Sequence, residues 1–449
     1  MELAEALQVL GERNRSESFA LFSRTLDIEW VRRVLTATGT ASVRKRKLPA
    51  EVVVWLVIGM ALLRDRSIDE VITHLDLVLP EITEDDAVSR TAVVRARDRL
   101  GCEPLAVLFA ETAQRWAGEA ADALRWRGLA VYGVDGTTML IADTADNEMV
   151  FGRPCSGRSA GAYPQLRLVA LMVLRAHLLA DLVPGSYHTG EQTLAQELWK
   201  RLPDHCVIVV DKGFINYFVF SSIQSQGSGR HWLCRAKGNL KWQVVRRLSA
   251  NDYLVQIPIN RSLRKQHPEL PEFLSARAIR YLRRGFRPQV LLTSLLDPDT
   301  YPAREIVELY HQRWELEIGF DEVKTHTLER TETLRSKSPQ RVLQELWGLA
   351  IAYNLVRLEM LQVANRLQLP PARISFRHSL MLVRNFLVSA WLASPGVLPK
   401  RLEALHEEIA LLVLPKRRPR RYAREVKIKM SNYAKKSPPN RGPLPRWPY

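Results

Sequence analysis

The chain is poor in cysteine, in long apolar runs and, over its last stretch, in acid. Its four cysteines, Cys102, Cys155, Cys206 and Cys234, are scattered along 449 residues. No two have the spacing of metal ligands, and four is few for a disulfide framework. A zinc ribbon and a disulfide-stapled secreted fold are therefore excluded, and reduced thiols are expected. The longest apolar run, VVVWLVIGMALL from Val52 to Leu63, falls short of the roughly 20 residues that span a bilayer and reads as a buried core helix. The N-terminus, MELAEALQVL, is acidic and lacks the basic region of a signal peptide. A soluble, cytoplasmic protein is expected. No segment repeats at a fixed period, which excludes solenoids and propellers. His188, His205, His311 and His326 form no i, i+4 pair or other ligand pattern, so no histidine-based zinc site is expected.

What the chain has in excess is positive charge. Sixty-five Lys and Arg against 48 Asp and Glu give +17 and a pI near 9.9. Such a balance attracts polyanions, of which nucleic acid is the commonest, but names no chemistry. With 46% hydrophobic and 25% charged residues the composition is globular. A chain this long exceeds one compact core, so several domains are expected.

Residues 1–122 read as helical. Pro49 stands at the start of the Val52–Leu63 helix, where a missing N–H costs little. The segment SRTAVVRARDRLG, Ser89 to Gly101, begins with a Ser cap and carries Arg90, Arg95, Arg97 and Arg99. Arg95 and Arg99, spaced i, i+4, lie on one side and are candidates for DNA contact. A solvated basic face is the alternative. From about 123 the pattern turns to strands, GLAVYGVDGTTMLI, YPQLRLVALMV and CVIVVDKGF, with the helical TGEQTLAQELWKRL between them, giving a mixed α/β sheet over 123–225. Residues 226–295 read as an inserted β subdomain rich in Arg and Trp. Helices are expected over 296–365 and 366–415. From Lys416 to Tyr449 the chain holds twelve Lys and Arg, six prolines and one acid, Glu425. A mobile basic tail over 416–449 is expected, with Arg417, Arg418, Arg420 and Arg421 binding phosphates without sequence preference.

Two carboxylates stand after apolar strand runs, Asp135 after Val131–Val134 and Asp211 after Val207–Val210, each with a glycine close behind. Strand ends of α/β sheets are where catalytic groups collect, although a lone Asp there is more often a turn former. A third carboxylate lies on the predicted helix YPAREIVELYHQRWELEIGFDEVKTH. At about 100° per residue, Tyr310, Arg313, Glu317 and Lys324 fall within about a 60° arc. A carboxylate flanked by two cations and a phenol suits a metal ion beside a phosphodiester. On spacing alone, surface charge pairing is the commoner explanation of such a stripe. Glu191 could add a ligand, though a supporting or helix-terminus role fits it better. Glu315, Asp321 and Glu322 point away from the stripe.

The spacing Tyr-x2-Arg-x3-Glu-x6-Lys, met by Tyr310, Arg313, Glu317 and Lys324, resembles the YREK motif of the insertion-sequence transposases typified by IS4, a branch of the DDE transposases. Asp135 in VDGTT and Asp211 in VVDKGF resemble the family's first and second Asp. DTADN (143–147), YPQLRLV, GEQTLAQEL and LRSKSPQRVLQELWGLAIAYNLVR resemble further stretches. The resemblance covers about residues 15–430.

It implies an RNase H-like catalytic core interrupted by a β-rich insertion, behind an N-terminal helical DNA-binding domain and ahead of a C-terminal helical region and basic tail. It implies that Asp135, Asp211 and Glu317 hold two divalent ions, Mg2+ with Mn2+ able to substitute, while Tyr310, Arg313 and Lys324 grip phosphate. The activity implied is cut-and-paste transposition: binding of terminal inverted repeats, strand cleavage and strand transfer into target DNA by a homodimer in a synaptic complex, among the DNA of a bacterial cytoplasm. Some relatives flip a base and stack a tryptophan in its place, for which Trp232 and Trp242 are the candidates. A decayed copy acting as a DNA-binding regulator and a nuclease on the same fold are the competing readings.

Overall fold

The computed structural model describes residues 25–42, 48–74, 89–156, 159–160, 163–283, 287–328, 333–390 and 397–416. Arg417, Arg418, Arg420 and Arg421, and the tail they belong to, lie outside the described residues.

Five helices lead the described chain: α1 (Ile28–Ala37), α2 (Ala50–Leu62), α3 (Ile68–His74), α4 (Arg90–Leu100) and α5 (Glu103–Ala123). Asp27 starts α1 by accepting the Glu29 N–H at 3.2 Å, and Ser89 starts α4 by accepting that of Ala92 at 3.2 Å. The α2 helix is apolar around its whole circumference, and all but its first-turn Glu51 and Val52 are buried. A helix of that kind belongs in the middle of a protein. It packs on the long α12 (Pro339–Arg366), where Gly348 lets Val57 in: a Cβ there would lie 2.7 Å from Val57 Cγ1. Among the described residues, no helix is long and apolar enough to cross a membrane.

Ten strands form one mixed sheet: β1 (Ala130–Ile141), β2 (Gln165–Val173), β3 (Leu178–Ser186), β4 (Cys206–Val210), β5 (Arg230–Arg235), β6 (Gln243–Ser249), β7 (Asp252–Pro258), β8 (Phe273–Tyr281), β9 (Gln289–Thr293) and β10 (Thr333–Leu334). Their order is β3-β2-β1-β4-β5-β9-β8-β7-β6, with β10 pairing the far end of β1. The meander β1–β2–β3 is antiparallel, whereas β4 and β5 run parallel to β1. Those parallel strands are near-continuous apolar runs because both faces are covered. One face meets α12, α2 and the helix bearing Glu317, and the other meets α7 (Glu191–Lys200) and α8 (Tyr217–Ser225).

Two expectations about this sheet need correction. The run around Asp135-Gly136 is uninterrupted, so Asp135 is the sixth residue of a twelve-residue strand and not its end. The segment 226–295 does not stand apart from the core sheet. Its first strand, β5, pairs parallel with β4 inside the core sheet, and β6–β9 continue that same sheet outward. Gly227 and Gly229 suggested a break, but they serve the turn from α8 (Tyr217–Ser225) into β5; Gly229 has φ +61°.

The predicted helix over 301–326 is three pieces. The α10 helix (Ala303–His311) ends in tight turns at Gln312 and Arg313, α11 spans Trp314–Asp321, and a wide π turn follows over Glu322–Thr327. At the junction Arg313 N–H donates to Tyr310 O and Leu316 N–H to Arg313 O, three residues back instead of four. The π turn is anchored by a buried acid. Glu322 accepts from Tyr353 Oη at 2.9 Å and pairs with Arg357 and with His177 at 3.4 Å. Burial alone would raise its pKa, but Arg357 and His177 bring it down to about 2. After α12 come α13 (Phe376–Ala390) and α14 (Leu398–Ala410).

Candidate active site

Pairing along the parallel strands aligns Val134, Val210 and Cys234 across β1, β4 and β5. One step further in the same register brings Asp135, Asp211 and Arg235 into a row. Side chains alternate between sheet faces. On β1 the face of Asp135 is also that of Gly133, whose missing Cβ admits Leu316 of α11: a methyl there would lie 2.5 Å from Leu316 Cδ1 and 2.6 Å from Leu174 Cδ2. Two glycines thus seat α11 on the sheet, the second being Gly319, where a Cβ would lie 2.7 Å from Met172 Sδ. Glu317, between Leu316 and Gly319, is carried to the same face as the two aspartates.

Arg313 joins them. Its guanidinium is 2.5 Å from Glu317 Oε1 and 3.6 Å from Asp135 Oδ2. The broken helix therefore keeps the i, i+4 contact that the spacing predicts, through four residues rather than a uniform stripe. Burial works against the Arg313 charge, but Glu317, Tyr310 and Asp135 outweigh it and hold it protonated more firmly than usual. Lys324 leaves the π turn toward β1 and reaches Thr137 Oγ1 at 3.4 Å. Tyr310 is buried, which pushes its phenol up to about 12 against the pull of Arg313 and Arg235.

Asp211 caps the short turn Lys212–Phe214 by accepting the Gly213 N–H. Asp135 accepts the Gly136 N–H at 2.9 Å. Burial pushes the Asp135 carboxyl up to about 6; Gly136 and Arg313 pull it down, and Glu191 and Asp211 add to the rise. Among the described residues no three His, Cys, Asp or Glu groups converge closely enough to hold a metal ion. Arg313 occupies the space between Asp135 and Glu317, standing in for a cation there. Carboxylates such as these three supply the hard oxygen donors that divalent ions take.

Residues 16–110 match the family described as "Insertion element 4 transposase N-terminal", and residues 126–355, about half the chain, match "Transposase DDE domain". Over 410 residues the chain is 35% identical to "Transposase InsG for insertion sequence element IS4" of Escherichia coli K12, covering 91% of this chain and 92% of that protein. The chain belongs to the IS4 family of DDE transposases. A second relative in that organism, InsZ, is 31% identical over 229 residues, 51% of this chain and 75% of the relative. A piggyBac transposase in a synaptic complex with hairpin DNA overlays at 12% identity and a TM-score of 0.43, covering 91% and 87% of the two chains, a likeness too slight to carry an argument. As an IS4-family member this is a DNA transposase, an enzyme of DNA cleavage and strand transfer, and DDE domains of this kind generally use divalent metal ions.

Of the other residues expected to serve this transposase, Arg95 and Arg99 are exposed on α4. Arg97 is not available beside them. It is buried, bonded to Gln344 Oε1 at 3.1 Å and Ser336 Oγ at 3.1 Å, and ties α4 to α12. Trp232 is also a correction. It lies on β5 of the core sheet with none of its surface exposed, stacked on Phe220 with ring centroids 4.1 Å apart, and its Nε1–H donates to Gln224 at 3.1 Å. It has no face to offer a base. Trp242, half-buried at the entry to β6, keeps one. Sequence reasoning missed Arg235, which has no acid within ion-pair distance among the described residues. The signal was there: CVIVVD and HWLCR are parallel apolar strands ending one after the other. Glu315 and Glu322 bind His177 and Arg357.

Proposed function

We propose that Asp135, Asp211 and Glu317 are the catalytic carboxylates of this transposase and hold two divalent ions, Mg2+ in the cell with Mn2+ able to replace it. The observation that carries the reading is the parallel pairing of Val134 with Val210, the residues just before Asp135 and Asp211, with Glu317 tied to Asp135 through Arg313. Bound there, such ions supply activation of a water or 3′-hydroxyl and neutralisation of charge on the leaving oxygen.

The remaining residues position DNA. A phosphodiester entering this face offers Arg313 a bidentate partner, which frees Glu317. Tyr310 keeps its proton at any physiological pH and donates a hydrogen bond to a phosphate oxygen. Lys324 and Arg235 flank the row from its two ends as phosphate contacts. The substrates are the terminal inverted repeats and a target duplex, handled by a homodimer that pairs two ends, and the chemistry is cut-and-paste. Arg95 and Arg99 on the N-terminal helices and the basic residues after Lys416 add phosphate contacts away from the chemistry.

Metal ligation is tested by changing the donor atom. Asp211→Cys replaces a hard oxygen with a soft sulfur, so cleavage of a labelled element end should be lost in Mg2+ and partly restored in Mn2+. Equal activity of that variant and the parent in Mg2+ would remove Asp211 from the ligand set.

A further inference from the structure

We infer that His177 is a positioning residue of the active site: buried behind α11, it fixes the helix that carries Glu317 and so governs the rate of the chemical step without touching DNA. This assignment rests on the reading of Glu317 as catalytic and adds the residue that sets its place.

The α11 helix has little of its own to hold it. It is eight residues long, short for a helix standing by itself in water. Both its ends are irregular, with tight turns at Gln312 and Arg313 before it and the π turn after it, so its direction is not inherited from α10. Close packing at Gly133 and Gly319 sets how near it comes to the sheet. Apolar contact is non-directional, however, and rotation of α11 about its own axis needs a directional tie.

His177 supplies one. It closes the turn from β2 to β3, where its N–H donates to Val173 O at 2.8 Å, and it is 1% exposed. Its Nε2 lies 2.9 Å from Glu315 Oε2, in the first turn of α11. Its Nδ1 lies 2.6 Å from Arg357 Nη2 on α12, and the same Nη2 pairs with Glu322, where the π turn begins. A guanidinium only donates, so Nδ1 accepts and Nε2 carries the proton offered to Glu315. The ring thus links α12 to the head of α11, and Arg357 links α12 to its tail. Glu315 and Glu322, seven residues apart, share one side of the helix, which leaves Glu317 on the other. The backbone at His177 is also strained. Its φ is +59°, a left-handed value that residues with a Cβ rarely adopt, and such strain persists where the surroundings over-determine it. Here the partners on both ring nitrogens do so.

The test separates rate from binding and from folding, using single-turnover cleavage of a labelled element end by the full chain at saturating Mg2+. Asn suits the left-handed turn but is too short to reach Glu315. His177→Asn should cleave about ten- to a hundredfold more slowly, while its gel shift of the end stays within about twofold of the parent. Glu315→Ala, at a partly exposed position, should lose the same factor. Glu315→Gln, whose side-chain oxygen still accepts from His177, should cleave near the parental rate. The double variant His177→Asn/Glu315→Ala should be no slower than the slower single, because both remove one contact. A purely structural role would lower the melting temperature and leave the folded fraction cleaving normally. Parental cleavage by folded His177→Asn, or losses that multiply in the double variant, would overturn the inference. Should His177→Asn fail to fold, the Glu315 pair decides, and equal rates in Glu315→Ala and Glu315→Gln would overturn it. Parental cleavage by Glu317→Gln would instead remove Glu317 from the chemistry, and with it the reading beneath.

Discussion

Asp135 is stabilised in its protonated form. Its carboxyl is raised by burial from the ordinary 3.8 to about 6, so the folded chain holds the proton more tightly than the unfolded chain does. The sign follows: the group costs nothing below about pH 4, costs progressively more as pH rises through 4 to 6, and costs its full amount above. Asp135→Asn should therefore be more stable than the parent at pH 8, by roughly 1–3 kcal/mol. The difference should vanish near pH 4. Urea melts at the two pH values check this, and equal gains at both would show that the burial cost is not what the variant relieves. The two tryptophans divide in the same terms. Trp232→Ala empties a fully buried site and should cost about 3–5 kcal/mol, whereas Trp242→Ala should leave stability within about 1 kcal/mol and lower end cleavage. Thermal melts beside cleavage assays separate the two. Which tryptophan was free could not be read from the sequence. The apolar run in HWLCR is too short to tell a half-buried strand from a covered one, and it is its place beside β4 in the core sheet that covers both faces.

At the scale of elements, sequence periodicity found the helices and strands that bear the site but misplaced how they end. The apolar runs before Asp135 and Asp211 are the strands expected, and Ser89 caps its helix as expected. Continuous strand through Asp135-Gly136 was hidden because Gly and Asp are usual breakers, while here β2 pairs with β1 along nine residues and carries it through. The π turn was hidden because it depends on Glu322 meeting Arg357, 35 residues away. What brings α11 onto the sheet is absence of bulk at Gly133. Gly133→Ala forces Leu316 and Leu174 aside, which typically costs about 1–3 kcal/mol and displaces Glu317 with its helix. Cleavage should fall at least tenfold, while binding to an element end changes little. Unimpaired cleavage in a folded Gly133→Ala protein would mean that α11 is not seated by this contact.

Among the described residues, buried pairs tie the N-terminal helices to the core. Arg97 and Arg64 reach from the N-terminal helices to Gln344 and Glu345 of α12, and α2 is sheathed on nearly all sides. Composition gave the partner class, since +17 fits an enzyme that acts on DNA. It could not give the coupling between regions, which rests on buried polar pairs with no periodic signature. The central claim is that Asp135, Asp211 and Glu317 together make this chain an acting transposase. The direct measurement is a strand-transfer assay with a labelled element end, Mg2+ and a plasmid target, run on Asp135→Asn, Asp211→Asn and Glu317→Gln alongside the parent. Each variant should still shift the labelled end in a gel and should lose both nicking and joining by at least a thousandfold. Joined product from any one of the three at near-parental yield would contradict the account.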